Sequence, residues 1–325
     1  MAMAAMLALS LGAAYAFASH VEPSPSLDHA GAVRASASTR SAKNGELTIM
    51  EAAPNANGGG LEGWYGLSSI AGDGRLRPVV RCPNGVEWCG WVLSIDWSPT
   101  GRQLALAVTS FGSANPYNGI HVVDLATGQD KQLRACRPPE CDWFDLDWSP
   151  DGRTLAYVAL GGIYLVRPDA SGGQAAPRRL VTGRQPTWSA DGRSIAFVRT
   201  GRDGRRSIRI IGVDGSHPRM LVASAAGPAW SPNGRSIAYR HGCKILMTTP
   251  TGVDMTPRLL RRCPVPSDHR VGPPVWSPDG TMIAFSGVEG TYVMDADGSG
   301  LHRVSPKAIG CSCGQQARPA WRPIP

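Results

Sequence analysis

The chain has 325 residues, 39 of them glycine and 27 proline, and a formal net charge of +8. This abundance of turn-forming residues, with no helix-period apolar stretch beyond the N-terminus, predicts an all-β protein. The arginines form no dense helical stripe, which argues against a nucleic-acid-binding protein. The positive charge is compatible with a solvated basic surface or with a partner that presents an anionic surface.

The N-terminal segment predicts export. Residues 1–18 combine a short apolar run with the pattern Ala16-Phe17-Ala18, which is typical of a signal peptide cleaved before Ser19. The run is too short to span a bilayer comfortably. Residues 19–44 are rich in Ser, Ala and Pro, and we expect a disordered tether there. The predicted location is therefore periplasmic or secreted.

A Trp-Ser-Pro-Asp-Gly motif followed by an apolar β-run recurs along the rest of the chain. With small variations, the copies begin at Trp97, Trp148, Trp188, Trp230 and Trp276, and a truncated copy begins at Trp321. Successive tryptophans are 40 to 51 residues apart. This period, with turn residues at the centre of each hairpin, is typical of propeller blades of four strands. We expect the tryptophans to fill the wedges between neighbouring blades rather than to bind a ligand.

Both halves of the repeat resemble those of the TolB-type propeller family. The first half is close to P-x-W-S-P-D-G-x-x-I-A-F, and residues 292–298 (YVMDADG) match the second half almost letter for letter. The resemblance covers residues 45–325. It implies a six-bladed β-propeller of four-stranded antiparallel blades in a cell-envelope setting. Full TolB proteins carry an α/β domain ahead of the propeller, where we expect only the signal peptide and the tether in this chain.

Five of the expected blades are complete in sequence, and the sixth is composite. Residues 45–80 supply three of its strands, and residues 320–323 supply the innermost strand from the other end of the chain. Pairing of the N- and C-terminal segments closes the ring and pairs strand edges that would otherwise invite aggregation. We therefore expect the last six residues to be essential for stability.

The loops on one face of the disc vary far more than the turns on the other, and loops on a rigid scaffold often carry function. All eight cysteines fall in these variable loops, in four sequence-local pairs: Cys82/Cys89, Cys136/Cys141, Cys243/Cys263 and Cys311/Cys313. In an exported protein such pairs predict disulfides. The single residue between the last two cysteines would strain that bridge.

Three carboxylates are candidate axial residues. Asp96, Asp145 and Asp147 alternate with apolar residues in the strands that end at the repeat tryptophans, so we expect them to face the channel. Carboxylates that converge there could bind a cation or act as acid and base. They could equally form the polar wall of a water-filled channel.

A second candidate group is aromatic and lies in the variable loops: Trp91, Phe111, Tyr117 and Trp143. Aromatic rings on constrained loops suit a sugar or peptide ligand. The alternative is that they cap the channel or cover the disulfides.

The sequence favours a monomeric binding scaffold over an enzyme. We expect a propeller without a cofactor that binds a protein or glycan of the cell envelope through its disulfide-pinned loop face. The alternative is an enzyme with an axial site, such as a glycan lyase or a lactone hydrolase. No histidine cluster accompanies the aspartates, which weakens that alternative.

Overall fold

The computed structural model describes eleven parts of the chain: residues 43–52, 65–70, 76–80, 91–109, 118–136, 145–168, 176–252, 258–261, 271–287, 290–305 and 318–324. These residues form β-strands and turns without a helix, so no helix within them could cross a membrane.

The strands are numbered β1 to β24 in chain order. The first three are β1 (Lys43–Ala52), β2 (Tyr65–Ile70) and β3 (Leu76–Val80). Blade 2 consists of β4 (Trp91–Trp97), β5 (Gln103–Thr109), β6 (Gly119–Asp124) and β7 (Asp130–Ala135). Blade 3 consists of β8 (Leu146–Trp148), β9 (Leu155–Ala159), β10 (Gly162–Val166) and β11 (Arg178–Thr182).

The remaining blades repeat this plan. Blade 4 consists of β12 (Arg184–Trp188), β13 (Ser194–Thr200), β14 (Arg206–Gly212) and β15 (Arg219–Ala223). Blade 5 consists of β16 (Ala226–Trp230), β17 (Ile237–His241), β18 (Lys244–Thr248) and β19 (Arg258–Arg261). Blade 6 consists of β20 (Val275–Trp276), β21 (Met282–Gly287), β22 (Gly290–Asp295) and β23 (His302–Arg303). The final strand is β24 (Ala320–Ile324).

Blade 1 is built from both ends of the chain, as the sequence predicted. Its strand order is β24-β1-β2-β3, and every neighbouring pair is antiparallel. Thr48 pairs with Ala320 and Leu47 with Trp321, with a bulge before Leu47. Gly45 lies in this bulge, where a Cβ would stand 2.2 Å from the carbonyl oxygen of Arg322. The close backbone approach therefore requires glycine.

The hydrophobic core lies between the blades. The second strand of blades 3 to 6 carries an aliphatic-Ala-aromatic run, and period-two alternation points its alanine and its aromatic ring to opposite faces. The rings of Tyr157, Phe197, Tyr239 and Phe285 are almost completely buried. For example, Phe197 packs in one cluster with Val158 and Ile163 of the preceding blade. Each interface between blades thus excludes water on its own.

The recurring motif is a turn with its own hydrogen bonds. In blade 3 the Ser149 hydroxyl donates to the Asp151 carboxylate at 2.5 Å and accepts the N–H of Thr154 at 2.9 Å. The Ser149 bond holds the pKa of Asp151 below its ordinary value. Gly152 supplies the left-handed conformation, with φ 67°. The same serine-to-acceptor bond recurs at Ser189, Ser231 and Ser277. The motif is therefore a structural device.

Basic side chains on the outer strands link consecutive blades. Four of them donate to a backbone carbonyl of the next blade: Lys131 to Pro168, Arg178 to Val213, Arg219 to Pro250 and Arg258 to Asp297. Part of the positive charge therefore stabilises contacts between blades rather than attracting a partner.

Candidate functional site

The axial cavity is formed by the innermost strands, which end at the repeat tryptophans. Its volume is about 280 Å³, and its mouth is surrounded by the prolines of the turns: Pro99, Pro150, Pro232, Pro278 and Pro323. Asp96, Asp147 and Arg318 contribute the charged groups of its wall. Because the first turn of each repeat forms the mouth, the cavity opens on the face opposite the variable loops.

The residue immediately before each tryptophan forms the first tier of contacts between blades. The Asp96 carboxylate accepts the N–H of Trp148 at 2.7 Å, and Asp147 accepts the N–H of Trp188 at 2.7 Å. A weaker bond at 3.3 Å joins the Thr187 hydroxyl to the N–H of Trp230. Innermost strands of neighbouring blades do not pair with each other, so these side chains satisfy backbone groups that would otherwise be unpaired.

The residue three positions before the tryptophan forms a second tier. The Ser94 hydroxyl accepts the N–H of Leu146 at 3.1 Å, and the Asp145 carboxylate accepts the N–H of Gln185 at 3.0 Å. The Gln185 side-chain oxygen in turn accepts the N–H of Gly227 at 2.9 Å. Gln185 has φ 52°, a conformation that is uncommon for residues other than glycine. The hydrogen bonds of Gln185 to Asp145 and Gly227 hold it in this conformation.

Arg318 is the cation of the cavity. It precedes β24 in blade 1 and reaches Asp147 of blade 3, with an Nη1 to Oδ1 distance of 3.4 Å. Both side chains are largely buried. Arg318 also acts electrostatically on Asp96 and Asp145. One guanidinium therefore interacts electrostatically with three carboxyl groups, and its ion pair with Asp147 links blade 1 to blade 3.

The carboxyl groups of the cavity hold their protons more tightly than in water. Burial, followed by the proximity of Asp147, raises the pKa of Asp96 to about 8. Burial raises the pKa of Asp147 to about 6, against the opposing effect of Arg318. Burial also raises the pKa of Asp145. Burial therefore favours the neutral form of both carboxyl groups, whereas Arg318 favours the ionised form of Asp147.

The cavity wall is polar on one side and apolar on the other. Blades 2 to 4 contribute Asp96, Asp147 and Thr187, whereas blades 5 and 6 contribute Ala229 and Val275. Within the described ranges, no group of three or more His, Cys, Asp or Glu residues could hold a metal ion. The arrangement offers hydrogen bonds and one ion pair to a ligand on a single side.

A larger cavity of about 670 Å³ lies between the turns of blades 3 and 4, away from the axial carboxylates. Its charged lining residues are Asp151, Arg167, Arg178 and Asp191. It is an open groove on the same face as the mouth of the axial cavity.

The aromatic candidates lie mostly outside the described residues. Trp91 is the first residue of β4 and Trp97 the last, so the backbone of Trp91 is at the opposite end of this strand from Asp96. Phe111, Tyr117 and Trp143 lie outside the described ranges. The proposed aromatic site therefore stays a prediction.

The cysteine pairing also stays a prediction. Cys136 and Cys243 are the two cysteines within the described residues, and neither is a free thiol. Cys243 is buried between blades 5 and 6, against Ile245 and Trp276. The other six cysteines lie outside the described residues: Cys82, Cys89, Cys141, Cys263, Cys311 and Cys313.

Sequence reasoning missed Arg318, Thr187 and Gln185 as residues of the axial strands. Aligning the repeats on their tryptophans would have found them, because Arg318 and Gln185 occupy the same third position before tryptophan as Asp145. The signal was positional rather than chemical, since the residue type at this position changes from blade to blade.

Truncating a wedge tryptophan tests the contacts between blades. Trp188 is 8% exposed, and its indole N–H donates to the carbonyl oxygen of Asp147 at 3.1 Å. We expect Trp188→Ala to lower the free energy of unfolding by about 3–5 kcal/mol in urea denaturation. Trp230→Ala is the matched control, because Trp230 is only half-buried and its indole donates within its own turn, to Gly234. A cost for Trp188→Ala no larger than that of the control would contradict this interpretation.

Six four-stranded blades, closed by both chain ends and joined by side chains along the axis, define a six-bladed β-propeller, a fold that the chain shares with solved TolB structures. Sequence comparison finds no matching family model and no curated relative. TolB from Acinetobacter baumannii is similar in structure, with a TM-score of 0.61 and 19% identity over 85% of this chain and 65% of that one. This chain thus spans slightly less than two thirds of that protein.

Two further solved structures share the fold. A chain of a nidogen/laminin complex gives a TM-score of 0.61 at 10% identity, over 86% of this chain and 98% of that one. A putative TolB from Agrobacterium tumefaciens gives a TM-score of 0.55 at 19% identity, over 78% and 95% of the two chains. At these identities the likeness concerns the fold alone.

Proposed function

We propose that this protein is an exported scaffold of the cell envelope or extracellular space that captures a protein or glycan partner. The observation that carries the proposal is that the axial carboxylates hold neighbouring blades together. Asp96, Asp145 and Asp147 each accept a backbone N–H of the next blade, so they hold the ring together. Carboxylates committed in this way are poorly placed to transfer protons to a substrate.

The folds of the similar structures support a protein partner. One of them comes from a complex of two proteins, nidogen and laminin. TolB proteins, two of which share this fold, are the basis for the envelope setting that we propose. The signal peptide at residues 1–18 and the disulfides are part of the same proposal.

The proposed docking surface is the face of the variable loops, around Trp91 and Trp143. Trp91 is the first residue of β4, one of the innermost strands of the ring. A loop attached to a rigid strand, and closed by a local disulfide, loses little conformational entropy on binding. Aromatic side chains on such loops would supply most of the contact energy.

The double variant Trp91→Ala/Trp143→Ala tests this surface. We expect it to abolish capture of the partner that co-purifies with the exported protein, with an almost unchanged melting temperature. Binding is then measured between the two purified proteins by calorimetry. The matched control is Met220→Ala/Leu301→Ala, which removes two exposed apolar side chains elsewhere. Unfolding of the aromatic variant, or equal binding by both variants, would place the binding site elsewhere.

An axial enzyme is the second candidate function. The observation in its favour is the pair of buried carboxyl groups Asp96 and Asp147, whose pKa values are raised to different extents, because such a pair can act as acid and base. Turnover of a glycan or a lactone that is lost in Asp96→Asn would favour the enzyme. A stoichiometric, tightly bound cation in the purified protein would also favour it.

A further inference from the structure

The hairpin between β13 and β14 carries a dense positive charge at its tip. Residues 199–206 contain four arginines, namely Arg199, Arg202, Arg205 and Arg206, and a single acidic residue. Residues 199–206 are all exposed. The tip belongs to the same face as the variable loops, because it connects the second and third strands of its blade.

This tip has a defined conformation. The N–H of Gly201 donates to the carbonyl oxygen of Arg205 at 2.8 Å, and the N–H of Gly204 donates to that of Gly201 at 3.1 Å. The Asp203 carboxylate accepts the N–H of Arg205 at 3.1 Å. The arginine side chains therefore project from a hairpin that is ordered by its own backbone.

The positive charge is poorly neutralised. Asp203 lies 3.8 Å from the Arg205 guanidinium, and both side chains are exposed, so this ion pair contributes little. The neighbouring blade adds Arg240, whose pKa is lowered by burial and by the nearby charge of Arg206. Like charges held this close produce a positive field that favours an anionic partner.

The hairpin tip of the preceding blade is apolar. Leu160 and Gly161 connect β9 to β10, and Leu160 is 63% exposed. Its φ is 48°, in the left-handed region that leucine rarely adopts. An exposed apolar side chain in an unfavourable backbone conformation suggests a functional role.

The shape of this region favours a flat partner. The two cavities described above open on the opposite face, at the Trp-Ser-Pro turns. Hairpin tips of adjacent blades project side by side at one edge of their sheets, where a plane can contact them together. A peripheral membrane site typically combines basic residues, which attract anionic lipids, with an apolar residue that enters the interface.

We propose that the tips formed by Leu160 and by residues 199–206 dock this protein on an anionic phospholipid surface. The arginines supply the attraction to lipid headgroups, and Leu160 enters the headgroup layer. This surface lies on the same face as the proposed partner-binding loops, but it uses different residues and its test does not depend on them.

The test is co-sedimentation of the full chain with vesicles of phosphatidylcholine containing about 30% phosphatidylglycerol, in about 0.1 M salt. We expect Arg202→Ser/Arg205→Ser/Arg206→Ser to weaken binding at least about tenfold. The matched control is Arg102→Ser/Arg153→Ser/Arg193→Ser, which removes the same charge from exposed arginines on the opposite face. We expect the control to bind almost as the parent does.

A single substitution tests the apolar tip. Asparagine tolerates the left-handed conformation, so Leu160→Asn should keep the hairpin and weaken vesicle binding about threefold. Melting temperatures of all variants are compared with that of the parent. Equal loss in the two triple variants would assign the binding to net charge and overturn the proposal. Failure of the parent to bind these vesicles, with or without binding to a soluble acidic polysaccharide or protein, would overturn it as well.

Discussion

Deletion of residues 320–325 should abolish cooperative folding or lower the melting temperature by at least about 10 °C. The deletion removes β24, the innermost strand of blade 1, and leaves β1 as an unpaired edge. It also removes the Arg322 guanidinium from the ring of Trp97, which it covers at 4.9 Å. Because a typical domain is stable by only about 5–15 kcal/mol, we expect the loss of one strand of the closed ring to be severe.

A shorter deletion provides the control. Removal of residues 324 and 325 leaves the pairs Leu47–Trp321 and Thr48–Ala320 intact. We expect this variant to melt close to the parent in circular dichroism and calorimetry. If the longer deletion also melts like the parent, the ring is not closed by its two ends.

The stability of the ring should fall as the pH rises from about 4 to about 8. Burial raises the pKa of Asp96 from 3.8 to about 8, and that of Asp147 to about 6. Between the ordinary value and the raised value, the folded protein binds more protons than the unfolded chain. Proton binding therefore stabilises the fold at low pH, and this contribution is lost as the pH approaches 8. We expect the melting temperature to fall by several degrees over this range.

Asp96→Asn separates ionisation from hydrogen bonding. The amide oxygen can still accept the N–H of Trp148, but the side chain no longer titrates. We expect a flatter pH dependence and, at pH 9, a more stable protein than the parent. Asp96→Ala is the contrasting variant, because it leaves the N–H of Trp148 without an acceptor and costs about 1–3 kcal/mol at low pH. If the parent and Asp96→Asn lose stability equally as the pH rises, Asp96 does not titrate in this range.

The predictions for the pH dependence and for the Asp96 variants both depend on contacts between blades rather than within them. The side chain of Asp147 joins blade 3 to blade 4 through Trp188, and it joins blade 3 to blade 1 through Arg318. A single buried ion pair of this kind adds little net stability, but removing one partner leaves the other charge buried and unpaired. We therefore expect changes at Asp147 and Arg318 to affect stability more than changes to exposed charges do.

The sequence by itself determined the architecture of this protein. The Trp-Ser-Pro-Asp-Gly repeat encodes a local turn, and the apolar run after it alternates with period two, so each hairpin can be inferred from neighbouring residues. The truncated repeat at Trp321 predicted closure of the ring, because it supplies the one strand that the first repeat lacks. These inferences succeed because the interactions behind them are short-range and recur in every blade.

Only the tertiary structure decided the role of the axial residues. Asp96 and Asp145 accept backbone N–H groups 52 and 40 residues further along the chain, and Arg318 meets Asp147 across 171 residues. The bonding partners are backbone groups, which are the same for every residue type and therefore leave no mark in the sequence. The exposed tips at Leu160 and residues 199–206 lie in consecutive repeats, whose order the sequence predicted. Only the structure shows that Leu160 is 63% exposed and adopts a left-handed conformation, because both depend on how the turn folds back on its blade.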